Sequence, residues 1–382
     1  MRIAVLINTS WNIYNFRLEL LRALKAKGHN IICIAPYDSY SNKLKEEGFE
    51  YYDIKINNKG TNPFEDVKLI YDYYRLFKKT KPDVVLGYTI KPNIYGSIAT
   101  GFLRIPTISN ITGLGTVFLK KSFSSKLAKI LYKLALSKNK VFFQNRDDLN
   151  IFLKQKLVKK GNVDLLPGSG INLQKFKPIP IVKNNNQFKF LLIARLIKDK
   201  GVLEYVNAAR MIKKIYTNVN FLIIGAIWLD NPSAIYVDEL ISWQREGIID
   251  YLGTTDNIKE EISKVDCVVL PSYREGTPRT LLEAASMAKP IIATNVAGCR
   301  EVVDDGVNGF LCRVRDYKDL AKSMEKMINL PEKDRIIMGQ NGRKKMENEF
   351  DEKFVIQKYL NVLEQIKLDY RLSIPYKKSS FI

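Results

Sequence analysis

The chain has 382 residues, 46% of them hydrophobic and 26% charged, with 61 Lys and Arg against 40 Asp and Glu and a formal net charge of +21. This is globular composition, sized for two domains of roughly 100–200 residues each. A single histidine and four scattered cysteines argue against a zinc site, and no uncharged apolar run reaches the length of about 18 residues that a spanning helix needs.

The start, MRIAVLIN, turns polar at once, so residues 2–8 read as a short buried strand rather than a secretory signal. A helical pattern follows at 15–27, then the strand IICIAP (31–36), a helical pattern near 39–47, a helix at 67–80, the strand DVVLGY (83–88), a helix at 94–104 and the strand PTISNI (106–111). Such alternation predicts an α/β fold with a parallel sheet covered on both faces. His29, at a helix–strand junction, reads as structural. Cys33, Cys267, Cys299 and Cys312 form no Cys-x-x-Cys pair and read as buried thiols of a reducing compartment.

The stretch 119–140 holds seven lysines and no acid, with Leu127, Ile130, Leu131, Leu134 and Ala135 on one helical face. A basic amphipathic helix of this kind can lie on an anionic bilayer; a core-facing helix with a solvated lysine face fits the pattern equally. Its setting is basic. Residues 1–180 carry 30 Lys/Arg and 13 Asp/Glu, whereas residues 181–382 carry 31 and 27. An excess of one sign implies an anionic partner for the first half: nucleic acid, lipid or a phosphate-bearing substrate.

A polar stretch near 173–187 reads as a linker. Beyond it a second series of strands begins: 188–195, 219–226, 250–254, 267–272 and 290–295, separated by helical patterns such as 201–214 and 279–288. The expected organisation is a first domain over 1–172, the linker over 173–187 and a second domain over 188–350. A last helix, 351–370, is long enough to return to the first domain. Ligands of open α/β sheets bind beyond the carboxyl ends of the strands, so two such domains would face one another across a cleft.

The strongest local signal is PSYREGTPRTLLEAASMAKP (271–290). A strand ends just before it, Thr277 suits a helix N-cap and Pro278 the first turn. The amides of Arg279, Thr280 and Leu281 would then lack intrahelical partners and form an anion site. Glu275 precedes this helix, and Glu283 on it reaches back toward the same end. Carboxylates accept from sugar hydroxyls, so one acid could hold a transferred sugar and the other a ribose. An acid near a helix N-terminus also complements the helix dipole with no ligand at all; Glu283, among neighbours that favour burial, is harder to explain that way. In IARLIKDKG (193–201), Arg195 and Lys200 follow a strand and could clamp a diphosphate.

These motifs together resemble the family-4 retaining glycosyltransferases of the GT-B fold, in which two Rossmann-like domains face an interdomain cleft. The acidic pair matches as Glu275 and Glu283 within EGTPRTLLE, the basic pair as Arg195 and Lys200, and VAGCREVVDDGVNGFL (296–311) fits as well. The resemblance implies a UDP-sugar donor with its diphosphate on Arg195 and Lys200, its sugar at Glu275 and its ribose at Glu283. Arg279 and the backbone at Thr280 and Leu281 complete the phosphate side. Gly225, Leu252, Gly253 and Thr254 join the donor-binding set, the last three near the base.

The first half is similar to bacterial transferases that extend undecaprenyl-diphosphate-linked glycans, on the segments 12–29, 37–49 and 90–115. This implies a polyprenyl-diphosphate acceptor, an N-acetylhexosamine as the transferred sugar, and a peripheral, cytoplasmic place on the inner face of the membrane. The acceptor side of the cleft would comprise Asn15, Arg17, Lys91, Asn93, Gly113 and Gly115. Many relatives carry a histidine in the loop after the fourth strand. Here that loop is GYTIKPN, and Lys91 or Asn93 would occupy related space. No DxD-type acidic pair stands at a strand end, and the family needs no metal or other cofactor. Retention by front-face substitution is the expected course.

Two rival classes fit less well. The pI suggests a nucleic-acid-binding protein, but no recognition module is present and nucleic acid is not expected as a partner. A nicotinamide oxidoreductase shares the α/β pattern, but the first strand leads into NTSWNIYNF, without Gly-x-Gly-x-x-Gly. A UDP-sugar epimerase or a transferase to a soluble acceptor would keep the same fold.

Overall fold

A computed structural model describes residues 1–57, 62–114, 123–180 and 187–373. Among the described residues, thirteen strands form two separate, wholly parallel sheets. The first contains β1 (Arg2–Leu6), β2 (Asn30–Ala35), β3 (Glu50–Asp53), β4 (Val84–Tyr88), β5 (Thr107–Ile111), β6 (Lys140–Phe143) and β7 (Val163–Leu165), in the order 3-2-1-4-5-6-7. The second contains β8 (Phe188–Ile193), β9 (Val219–Ile224), β10 (Asp250–Tyr251), β11 (Cys267–Leu270), β12 (Ile291–Thr294) and β13 (Gly309–Cys312), in the order 10-9-8-11-12-13. The fold is therefore the GT-B arrangement of two Rossmann-like lobes.

Continuous apolar strands such as AVL, IICIA and CVVL are what a sheet covered on both faces requires. Each sheet has one apolar cluster on either face. In both sheets the chain reverses its direction of growth once, between β1 and β4 and between β8 and β11, and a crevice opens at such a switch point. All four cysteines are buried free thiols.

The lobes share their outermost pieces. Ile171 and Phe176 pack in the second lobe's apolar cluster, with Leu173 and Ile179 against it, so this part of the stretch read as a linker is structured. Ile171 also donates its N–H to the Phe350 carbonyl at 2.8 Å, and Glu352 returns one to Ile171 at 3.2 Å. The chain thus crosses between lobes twice, side by side. The final helix, Glu352–Ser373, then packs along helix Ser10–Ala26, with Val355, Tyr359 and Leu363 in a first-lobe cluster.

Candidate active site

The carboxyl ends of β8 and β11 bring the first group of predicted residues together. After β8, Arg195 leaves the sheet, and Lys198–Lys200 form one tight turn closed by Gly201, whose φ is +73°. A Cβ at Gly201 would lie 2.1 Å from the Pro271 carbonyl oxygen, so this turn touches the loop after β11 only because no side chain intervenes. Tyr273 fixes the contact by donating its N–H to the Asp199 carbonyl at 2.9 Å. Lys200 Nζ consequently reaches Glu275 Oε1 at 2.5 Å, with both side chains mostly buried. The Arg195 guanidinium stacks on the Trp228 indole, 4.4 Å from the ring centroid. Burial lowers the Arg195 pKa and the field of Glu275 opposes that shift, so the cation sits within electrostatic reach of this carboxylate.

Glu283 is held separately. Its Oε1 accepts from Arg279 Nε at 3.1 Å, and Arg279 Nη1 also donates to Ser169 Oγ at 3.2 Å and to the Gly170 carbonyl at 3.1 Å. Burial raises the Glu283 pKa, and Arg279 and then Lys175 act against it. The four groups expected around one ligand thus divide three and one, Glu283 being paired instead with Arg279. Lys200–Glu275, with Arg195, stands at the strand ends; Arg279–Glu283 stands against the segment that crosses between lobes.

The helix between the pairs runs from Arg279 to Ser286 and its N-cap is Pro278, not Thr277. The Thr277 hydroxyl instead donates to the Gln144 carbonyl at 2.8 Å, because the first lobe offers that acceptor. Leu281 donates its N–H to the Pro278 carbonyl at 3.1 Å, in a tightened first turn. The amides of Arg279 and Thr280 remain at the open end. Thr280 ties that end to β8 by donating its hydroxyl to the Ile193 carbonyl at 3.2 Å.

On the far side of β8, Gly225 lies under the Arg195 turn: its Cβ would clash with the Ala194 carbonyl, and its N–H donates to the Gly253 carbonyl at 2.9 Å. Leu252, beside Gly253 and Thr254, is exposed. These residues form a wall next to the open helix end.

The first-lobe predictions divide. Gly113 reaches the second lobe, its Cβ position only 3.3 Å from the Gly276 amide nitrogen. Asn15 and Arg17 line a cavity of about 210 Å³ shared with Phe16, Lys175, Arg279 and Glu352. Asn15 donates to the Trp11 carbonyl at 2.9 Å, and buried Arg17 lies 4.5 Å above the Tyr88 ring.

Lys91 does not present its charge to the cleft. Its Nζ is 2.8 Å from Asp66 Oδ1, a nearly buried pair at the start of helix Pro63–Thr80. Asn93 is likewise part of the sheet packing: it is buried, donates to the Asn110 carbonyl at 2.8 Å and sits where a Cβ on Gly87 would lie. Gly115 lies outside the described residues. His29 is at the amino-terminal edge, with Nδ1 3.4 Å from the Met1 amine.

Sequence reasoning missed several residues. Thr89 directly follows β4 with φ at +63°, an uncommon conformation for a β-branched residue and a form of strain that gathers at functional sites. Trp228, Asn145, Asp148 and Arg274 were missed as well. An Asn followed three residues later by Asp, right after a strand, was a readable helix-capping signal. Nothing local pointed to what that helix end touches.

The comparisons with known proteins agree with this fold. The model of the family described as Glycosyl transferases group 1 matches residues 174–345, and that of Glycosyl transferase 4-like matches residues 2–146. The N,N'-diacetylbacillosaminyl-diphospho-undecaprenol alpha-1,3-N-acetylgalactosaminyltransferase of Campylobacter jejuni is 29% identical over 96% of this chain and 99% of its own length. The UDP-Gal:alpha-D-GlcNAc-diphosphoundecaprenol alpha-1,3-galactosyltransferase of Escherichia coli is 27% identical over 75% of this chain and 76% of its own. Among solved structures, Anabaena Alr3699/HepE in complex with UDP and glucose superposes with a TM-score of 0.78 at 18% identity, over 95% of this chain and 99% of that one, a likeness of fold. The chain is a glycosyltransferase of the GT-B fold, with a glycosyl transferase 4-like first half and a group 1 second half.

Proposed function

We propose that the chain moves a sugar, an N-acetylhexosamine, from a UDP-sugar onto a glycan carried by undecaprenyl diphosphate, in surface polysaccharide or glycoprotein glycan synthesis, with retention of anomeric configuration. The observation that carries this reading is the Lys200–Glu275 pair beside Arg195, at the open end of helix Arg279–Ser286. An arriving diphosphate offers Lys200 and Arg195 a stronger partner and the two helix amides an acceptor. Glu275, released from Lys200, accepts from hydroxyls of the donor sugar. The C1–O bond to UDP breaks while the new C1–O bond forms on the same face, and a leaving phosphate oxygen takes the acceptor proton. Charge developing on UDP is carried by two fixed cations and a helix end, so the scheme calls for no metal ion. Lipid-linked acceptors are named for the Campylobacter and Escherichia relatives, the first of which aligns nearly end to end.

Such an acceptor requires a place at the inner face of the membrane. Among the described residues, no helix is long and apolar enough to cross one. Helix Phe123–Leu136 packs inward through Tyr132, Ala135 and Leu136, while Leu127, Ile130 and Leu134 point outward, Ile130 and Leu134 at 65% and 63% exposure. The predicted apolar stripe therefore divides: Leu131 and Ala135 face the core, and Leu127, Ile130 and Leu134 are open beside Lys126, Lys129 and Lys133. This supports docking of that face on an anionic bilayer.

The direct test offers the protein a panel of UDP-sugars, with and without a polyprenyl-diphosphate-linked sugar. The reading expects UDP release and a lengthened lipid product with one UDP-N-acetylhexosamine, only when the lipid acceptor is present. UDP release that ignores the lipid, or transfer confined to a soluble acceptor, contradicts it.

A further inference from the structure

The loop that presents Glu275 is held from the opposite lobe. Arg274 pairs with Asp148, whose side chain is fully buried. Asn145 donates through Nδ2 to the Gly276 carbonyl at 3.2 Å and to Asp148 Oδ2 at 3.1 Å, while its Oδ1 accepts the Asp148 N–H at 2.8 Å. The Thr277 hydroxyl reaches the Gln144 carbonyl. Residues 274, 276 and 277 are thus each tied to the first lobe, and residue 275 between them carries the carboxylate to Lys200. Gly276 makes the approach possible, since a Cβ there would stand 1.9 Å from the Thr112 carbonyl oxygen.

A buried ion pair is a poor adhesive, because desolvation offsets much of the attraction; its better-attested use is to specify one geometry. The exposed Arg300–Asp147 pair nearby, 2.6 Å apart and also joining the lobes, has no such directional burial and contributes little. The buried pair instead sits one residue from Glu275.

We propose that Asp148, oriented by Asn145, is a positioning residue that acts through Arg274 to hold Glu275 in its reactive place, so that this part of the site is complete only while the lobes are together. The proposal rests on the reading of Glu275 as the group that contacts the donor sugar. Opening of the lobes must break the contacts of residues 274, 276 and 277 together, which leaves the Glu275 loop held only within its own lobe, by the Tyr273–Asp199 contact and Lys200. Donor diphosphate binding and turnover should therefore respond differently to loss of Asp148.

The test compares Asp148→Ala, Asp148→Asn, Glu275→Gln and the double variant Asp148→Ala/Glu275→Gln in full-length protein, reading kcat, donor KM, UDP Kd and Tm. Asp148→Ala is expected to lower kcat by about 100-fold, the scale of a 1 Å misplacement, with UDP Kd changed less than about 3-fold. Asp148→Asn keeps the shape without the charge and should fall between. Adding Asp148→Ala to Glu275→Gln should lower kcat no further, because one residue acts through the other. An apolar replacement, Asp148→Leu with Arg274→Met, should restore Tm but not kcat, and it serves if the alanine variant fails to fold. Recovery of kcat with Tm in that pair, or independent multiplication of the Asp148 and Glu275 effects, overturns the proposal. Normal turnover in Glu275→Gln alone removes the underlying assignment instead, so the two failures are distinguishable.

Discussion

Lys200 Nζ and Glu275 Oε1 stand 2.5 Å apart although 75 residues separate them, and each follows a strand that flanks the switch point of the second sheet. In the free enzyme each neutralises the other. On the proposed function, a diphosphate bound at the cation exchanges one strong pair for another and frees the acid for the sugar. Glu275→Gln and Arg195→Ala are each expected to lower kcat by about 10²–10³-fold, the scale seen when a transition-state charge contact is removed. Far-ultraviolet circular dichroism and Tm check that folding is intact.

Arg279 links Glu283 to the crossing segment and lies 5.6 Å from the Phe16 ring centroid in the first lobe. Arg279→Ala leaves the Glu283 carboxylate without its strongest partner inside the protein. The expected loss is about 3 kcal/mol of stability, the scale for breaking a buried pair. Urea unfolding should show Arg279→Ala/Glu283→Gln more stable than Arg279→Ala alone. Glu283→Gln alone should weaken UDP binding, measured by calorimetry.

Glu352 borders the same cavity, and burial, with Glu19 adding to it, pushes its pKa up to about 7 from 4.5. Between those values the folded chain binds a proton that the unfolded chain does not. Stability from this group is therefore greatest at low pH and falls as pH rises from about 4.5 to 7. Unfolding free energies of Glu352→Gln should lose this component of the pH slope across pH 5–7.5 relative to the parent; identical slopes contradict the shift.

Ile130 and Leu134 give the bilayer reading a direct handle. The double variant Ile130→Glu/Leu134→Glu replaces outward apolar groups, so Tm should hold within about 2 °C, as expected for surface changes. Flotation with vesicles containing anionic lipid should drop several-fold, and turnover on a lipid acceptor should drop with it. Unchanged flotation removes that helix from the membrane contact.

Much of the fold was legible because parallel strands are written as unbroken apolar runs, and the candidate site was legible where charged groups follow such strands directly. Arg195, Lys200 and Glu275 are of this kind. Lys91 was misplaced because its partner, Asp66, opens a helix more than twenty residues earlier, and only tertiary packing brings them together. Thr277 looked like a cap because the sequence cannot show that Gln144 supplies a competing acceptor. Glu283 was expected beside the other three groups because both acids lie near one helix end. Its rotation about that helix, toward Arg279 and the crossing segment, depends on how the two lobes are joined. Asp148 escaped notice for the same reason: its function, if held to the loop of residues 274–277, exists only between lobes.

A crystal structure of the protein soaked with UDP decides the roles of these groups. The pyrophosphate should lie between Arg195, Lys200 and the amides of Arg279 and Thr280, the ribose against Glu283, and Lys200 should turn from Glu275 toward phosphate. A nucleotide bound elsewhere, or one that leaves the Lys200–Glu275 pair untouched, contradicts those roles.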